Sequence, residues 1–408
     1  MVKILILNAD VSNKGTYALI RTIAENLKQY IPNAEFTFMG TEINRNELPI
    51  KKQLAINASK NIAPWLYLAE CLLIRICRII NVKLKISDRD GINIYIDNDL
   101  IINSGGDHLS GEFNKFGLST FMNVLYAIIL KKPVVLYGES LGYYKNPVFT
   151  YIANYIFEKV DLILVREKIS KKYLEEHVAN PNIYLTADPA FNLRSVNSLQ
   201  VEEIFKGENA NIARPLIGIN PSGLISKISK RDNNEIVSIF AKLADDLIYN
   251  LDATVLLVPH VYTQNVDDRR SINLIYEKVI NKRRVNLIKN EYSPEELKGL
   301  IGSCDLFIGA RMHATIASTS MMVPTVGIAY SHKMHGIIGE MVGLNEYIID
   351  INELNYDNLN QKVFDAWENR DLIHKILEKN IPLIKHESEL NGRYVSDLLS
   401  TLNSNGRL

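Results

Sequence analysis

Residues 305–328 read DLFIGARMHATIASTSMMVPTVGI, and this stretch decides the fold. The run at 305–308 predicts a short buried strand, Gly309 a tight turn, and the residues from Arg311 a helix. Pro324 cannot continue that helix, and 325–328 predicts a second strand. Just upstream, Ser293-Pro294-Glu295-Glu296 is a capping box with proline at the first helical position, so a helix is expected over 294–302. Helix, strand, turn, helix and strand in that order build one edge of a parallel sheet. Ligands of such sheets sit at the carboxyl ends of the strands, where the N–H groups of helix starts favour an anion. The sequence puts Arg311 and His313 at that end. A guanidinium offers a planar fork to carboxylate or phosphate, and an imidazole exchanges a proton near neutral pH. An Arg at a helix start is often a plain surface ion pair, and a single His is often structural. Here the helix that follows, 314–322, is small and uncharged and reads as buried, so the pair lies at its mouth rather than on an ordinary solvated face.

Working outward, the same alternation recurs along most of the chain. Strands are expected at 3–7, 35–39, 99–103, 133–136, 161–164 and 183–185, and in a second run at 216–219, 254–258 and 285–288. Several end in polar or glycine-rich residues: Asn13 and Gly15 in the loop after the first strand, Gly105, Gly106 and Asp107 after the third, Glu139 after the fourth. Each of these loops reads equally as a turn or cap and as a ligand cradle. Arg166 follows its strand as Arg311 does, and His260 and Lys333 stand after strands of the second run. Asp97-Asn98-Asp99 has the spacing of a metal-binding pair, but it precedes its strand and reads as a turn. Periodicity fades over 193–214, where a domain linker is expected, and 353–402 reads as a charged helical tail.

The expected fold class is therefore α/β, with two Rossmann-like domains facing across a cleft in a GT-B-like arrangement. The divisions are 1–200, 212–350 and a helical segment at 351–408. In that arrangement Arg166 would converge with Arg311, His313, His260 and Lys333 between the domains.

At 408 residues the chain is too long for one ordinary core. Its 46 basic and 46 acidic residues cancel, which disfavours nucleic acid as a partner. Three cysteines lack zinc spacing and read as core thiols, and no metal site is expected. The first residues form a strand rather than a signal peptide, so the expected location is cytoplasmic. The most apolar stretch, 62–80, has helical spacing interrupted by Glu70, Arg75 and Arg78. A core-packed helix is the first reading. A peripheral contact at the inner face of the membrane is the second, supported by Lys83 and Lys85 beyond it. Homo-oligomerisation is left open.

Taken together, the Asn13-Lys14-Gly15-Thr16 loop, Gly105-Gly106, Val165-Arg166-Glu167-Lys168-Ile169-Ser170, Asp188-Pro189-Ala190-Phe191 and Arg311-Met312-His313 resemble the polysaccharide pyruvyl transferase family. Tyr330 to Lys333 completes the pattern, and the likeness runs from about residue 3 to residue 345. The chain departs from it at Thr16, where an acidic residue is usual, and near Glu139. The resemblance implies transfer of a pyruvyl group from phosphoenolpyruvate, a co-substrate rather than a cofactor. The product would be a cyclic ketal bridging two hydroxyls of a sugar on a nucleotide-, lipid- or polymer-linked acceptor. On that reading Arg311 and Arg166 take the donor anions, Lys333 assists phosphate departure, and His313 is the general acid or base. His260, His332, His335 and Glu139 stand in reserve for proton transfer, while Asp107 and His108 face the acceptor. The competing readings are a GT-B glycosyltransferase using a sugar nucleotide, which lacks a Glu-x7-Glu signature here, and a non-catalytic sugar-binding subunit of envelope assembly.

Overall fold

Twelve parallel strands in two sheets carry the chain in the computed structural model, which describes residues 1–40, 64–80, 91–111, 117–142, 144–263 and 266–407. The first sheet holds β1 (Val2–Leu7), β2 (Ala34–Phe38), β3 (Leu100–Asn103), β4 (Val134–Glu139), β5 (Leu162–Val165) and β6 (Ile183–Leu185), in the order β2-β1-β3-β4-β5-β6. The second holds β7 (Leu216–Asn220), β8 (Thr254–Leu257), β9 (Val285–Leu287), β10 (Leu306–Gly309), β11 (Thr325–Ala329) and β12 (Ile348–Asp350), ordered β12-β11-β10-β7-β8-β9. All described pairings within the two sheets are parallel, with helices as crossovers, which is why central strands such as Leu216–Asn220 and Leu306–Gly309 are buried along their whole length. In each sheet the order reverses once, between β1 and β3 and between β7 and β10. Doubly wound sheets open a crevice for ligands at those reversals.

The expected elements stand close to their predicted places. The Ser293 capping box starts a helix at Pro294–Gly302, and Met312–Ser320 follows β10 directly. The Asp99 carboxylate accepts the Lys3 backbone N–H at 2.8 Å and ties the start of β3 to β1. All three cysteines are free and buried. The apolar helix, Pro64–Ile79, packs Tyr67, Cys71 and Ile74 into the core of the first sheet. Lys83 and Lys85 lie outside the described residues. No described helix is long and apolar enough to cross a membrane.

Two expectations need correction. The 193–214 linker contains a helix, Ser198–Gly207, whose Asn197 and Gln200 form a reciprocal capping box. Its Val201 and Ile204 join the core of the second sheet. The chain also divides less simply than a cut near 200. One compact unit comprises Met1–Val11, Leu19–Pro189 and Glu387–Leu408, the other Ser12–Ala18 and Ala190–His386. The helical tail is therefore no separate segment: the helix Arg370–Ser404 contributes residues to both units.

Gly218 shows how tightly the second sheet is packed. A Cβ there would lie 2.6 Å from the Phe307 ring and 2.8 Å from Cys304 Sγ. Gly218→Ala should destabilise the protein by about 1–3 kcal/mol through overpacking, read as a lowered denaturation midpoint at unchanged slope. An unchanged midpoint would mean that this core yields freely.

Candidate active site

The second unit gathers most of the expected residues at the carboxyl ends of β7, β8 and β10. Asn220, the last residue of β7, accepts the Arg311 N–H on Oδ1 at 3.1 Å and donates from Nδ2 to the Val258 carbonyl at 2.8 Å. One buried amide thus stitches both neighbouring strand ends across the reversal point. Arg311 stands at the N-cap of Met312–Ser320 with no side-chain cap bond, so nothing from that side chain closes the positive end of the helix. Its guanidinium turns instead to Asp268, with Nε at 3.2 Å from Oδ2 and Nη2 at 2.6 Å from Oδ1. Asp268 is fully buried and also accepts the backbone N–H groups of His260 and Val261 at 3.1 and 3.0 Å. Burial opposes the charge on Arg311, but Asp268 and Tyr330 outweigh it and hold its pKa above the ordinary value. Lys333 lies beyond β11, buried, with Nζ 5.7 Å from the Tyr330 ring centroid.

The Ser12–Ala18 segment belongs to this unit, not to the first sheet whose β1 precedes it. Asn13 bridges Val261 in antiparallel fashion, and Tyr262 donates its N–H to the Ser12 carbonyl at 3.3 Å. Asn13 Oδ1 accepts the Gly15 N–H at 3.0 Å and shapes the turn. Gly15 then packs against His313: a Cβ on it would fall 2.2 Å from Nδ1 of the imidazole. Lys14, buried beside it, reaches Glu291 at 2.6 Å and lies 5.4 Å from the Tyr262 ring centroid. Composition and spacing did not single out Lys14, Asp268 or Asn220. Lys14 stands inside the motif that carried the likeness, while Asp268 and Asn220 stand outside it.

His260 registers the field of this cluster. Its pKa is lowered to about 3, first by burial and then by His313, Arg311 and Lys14. It is a neutral hydrogen-bonding group here, not a store for a proton at neutral pH. His335 is turned aside, with Nε2 3.1 Å from Asp350.

The first unit holds the remaining candidates. Arg166 is almost completely buried, with Nε donating to Ser140 at 2.8 Å and Nη1 to Asp188 at 2.5 Å. Gly105 allows a close approach, but to the next strand: a Cβ would fall 2.3 Å from the Tyr137 carbonyl oxygen. Asp107 closes a turn, its carbonyl accepting from Ser110 N and Oγ. Glu139, fully buried at the end of β4, accepts from Asn103 Nδ2, and Asn103 Oδ1 accepts from Asn8 Nδ2 at 2.6 Å. Burial pushes the Glu139 carboxyl up to about 8, so it is largely protonated at neutral pH.

Two doubly wound parallel sheets make this a GT-B-like α/β protein. Solved structures agree on the fold. A UDP co-structure of MnaA from S. aureus is 14% identical, with TM-score 0.63, covering 98% of this chain and 97% of that one. A glycosyltransferase from Rickettsia africae is 14% identical, with TM-score 0.58 and 98% coverage of both chains. The sequence is more specific: the chain belongs to the polysaccharide pyruvyl transferase family, whose sequence model matches residues 13–332. It is 26% identical over 312 residues to the amylovoran biosynthesis protein AmsJ of Erwinia amylovora, covering 74% of this chain and 73% of that one.

The His260 environment gives a pH prediction. Its folded pKa of about 3 lies below its ordinary 6.5, so between these values the unfolded chain binds a proton that the folded chain does not. Stability should fall as pH drops through that window, by about 1 kcal/mol per pH unit from this group. His260→Gln should show a shallower loss in urea unfolding from pH 6.5 to 4. Equal slopes would show that folded His260 takes up its proton readily.

Proposed function

We propose that the protein transfers a pyruvyl group from phosphoenolpyruvate to two hydroxyls of a sugar, forming a cyclic ketal during cell-surface polysaccharide biosynthesis. The observation that carries this reading is the gathering of Arg311, held by Asp268, and His313, packed against Gly15 beside Lys14, at a helix start that has no side-chain cap. The donor is a small, dense anion with a carboxylate and a phosphate, which suits a fork, a point charge and helix N–H groups in one place. The family and the amylovoran relative support a polysaccharide acceptor.

In this scheme Lys14 and Arg311 hold the donor, with Asp268 orienting the guanidinium, and Lys333 assists phosphate. His313 protonates the methylene carbon, which becomes the methyl group. Positive charge develops on the neighbouring carbon, and one sugar hydroxyl attacks it. Its proton replaces the one His313 gave. Phosphate then leaves with the carbon–oxygen bond, the second hydroxyl closes the ring, and its proton departs with phosphate. Arg166, engaged by Ser140 and Asp188, is assigned to holding strand ends rather than to the donor.

Phosphoenolpyruvate at about 100 times its dissociation constant should stabilise the purified protein by about 3 kcal/mol in a thermal shift assay. Arg311→Lys, which keeps the charge but loses the fork, should reduce that shift. His313→Ala should keep the shift and lose phosphate release across a panel of sugar acceptors. Gly15→Ala should keep it too while slowing release about 100-fold by displacing the imidazole. A shift with nucleotide sugars and none with phosphoenolpyruvate would replace this reading with the glycosyltransferase one.

A further inference from the structure

Lys14 and Arg311, the two cations assigned to the donor, are held by carboxylates of different kinds. Asp268 is fully buried and committed: besides the Arg311 guanidinium it accepts the His260 and Val261 N–H groups. Glu291 is 52% exposed, while the Lys14 side chain it meets is 5% exposed. Among the described residues, the hydrogen bond that the Glu291 carboxylate accepts is the one from Lys14 Nζ at 2.6 Å. Desolvation therefore weighs unequally on the two pairs. Parting Arg311 from Asp268 would strand a carboxylate out of water, whereas Glu291 can leave Lys14 and be hydrated. The cost of that parting falls on the lysine, and a second anion offsets it.

Neither side needs the contact to hold its place. Buried Glu208 accepts the Lys289 and Asn290 N–H groups at 3.1 and 2.9 Å and the Tyr292 hydroxyl at 2.9 Å, so the chain is pinned on both sides of Glu291. Lys14 Nζ lies 5.8 Å from the Tyr17 ring centroid and 5.4 Å from that of Tyr262, and Asn13 beside it bridges Val261. Aromatic faces attract an ammonium but leave its N–H groups to a stronger acceptor. Arg269, with its guanidinium carbon 5.1 Å from the Tyr262 centroid, has its own carboxylate in Asp267, bonded by Nε at 3.0 Å and Nη2 at 2.6 Å. Glu291 is thus the loosely held member of the cluster.

We propose that Glu291 is a displaceable stand-in for the substrate anion. It holds the Lys14 ammonium until a phosphate- or carboxylate-bearing ligand takes its place, and its own carboxylate then turns to water. The inference rests on the donor-binding role given to Lys14 above.

The test is calorimetric titration of phosphoenolpyruvate, and separately of inorganic phosphate, into the full chain and its Glu291→Gln variant. Loss of the competing carboxylate should tighten both anions about five-fold, and added salt should narrow the gap. Far-ultraviolet circular dichroism should be unchanged, since Glu208 holds the loop. In a Lys14→Met background the same substitution should bring no gain, which ties the effect to this pair. Weaker anion binding by Glu291→Gln would make the glutamate a positioning group for Lys14 and overturn the proposal, as would a gain that persists without Lys14. Phosphoenolpyruvate bound equally by both forms would overturn the proposal and keep the donor reading. Tighter inorganic phosphate in the variant, with phosphoenolpyruvate bound by neither form, would keep the proposal and end the donor reading. Binding of neither anion to either form would end both.

Discussion

The second unit turns on the buried ion pair between Arg311 and Asp268. Taking a guanidinium and a carboxylate out of water costs several kcal/mol for each ion, and their attraction offsets this only when the remaining hydrogen-bonding capacity is filled. Asp268 meets that condition with four N–H groups, two from Arg311 and one each from His260 and Val261. The pair therefore fixes more than two side chains. Val261, held by Asp268, bridges Asn13; Asn13 shapes the turn at Gly15; Gly15 leaves room for His313; and His313 lies two residues from Arg311. This closed circuit ties the position of the imidazole to the Asp268 carboxylate.

A buried arginine after an apolar strand occurs in both units and is used differently. Arg166 and Arg311 occupy equivalent places in sequence, after β5 and β10, and each pairs with a buried aspartate. Arg166 also bonds Ser140 and is 1% exposed, whereas Arg311 is 8% exposed and stands at an uncapped helix start. The same local pattern thus gives a strand-end clamp in one unit and the wall of the candidate site in the other. What separates them is neither the arginine nor its aspartate but what arrives from elsewhere in the chain, here Lys14, Gly15 and His260.

That difference marks where the sequence could be read and where it could not. Strands and helices were legible because each carries its own periodicity and caps, as at Ser293–Glu296. The helix Ser198–Gly207 was missed although Asn197 and Gln200 advertise its start, because its few apolar residues give a weak period beside the polar linker-like stretch. Arg311 and His313 were visible as a pair at a strand end. Asp268 was not, since a carboxylate beginning a helix looks the same whether it caps that helix or pairs with an arginine 43 residues away. The attachment of Ser12–Ala18 to the second unit was equally hidden. It rests on single contacts across more than two hundred residues, which no local pattern encodes.

The charge balance of the second unit carries the functional argument further than any one residue. Lys14 and Arg311 each have an acidic partner, Glu291 and Asp268, so neither is an uncompensated buried charge. Yet burial first, and then His313, Arg311 and Lys14, still lower the His260 pKa to about 3. Compensation within each pair therefore does not cancel the potential where the pairs meet the helix Met312–Ser320. An unprotonated His260 adds no further positive charge there. An anion placed in the same field lowers its energy instead, and it does so at the strand ends where His313 is already held.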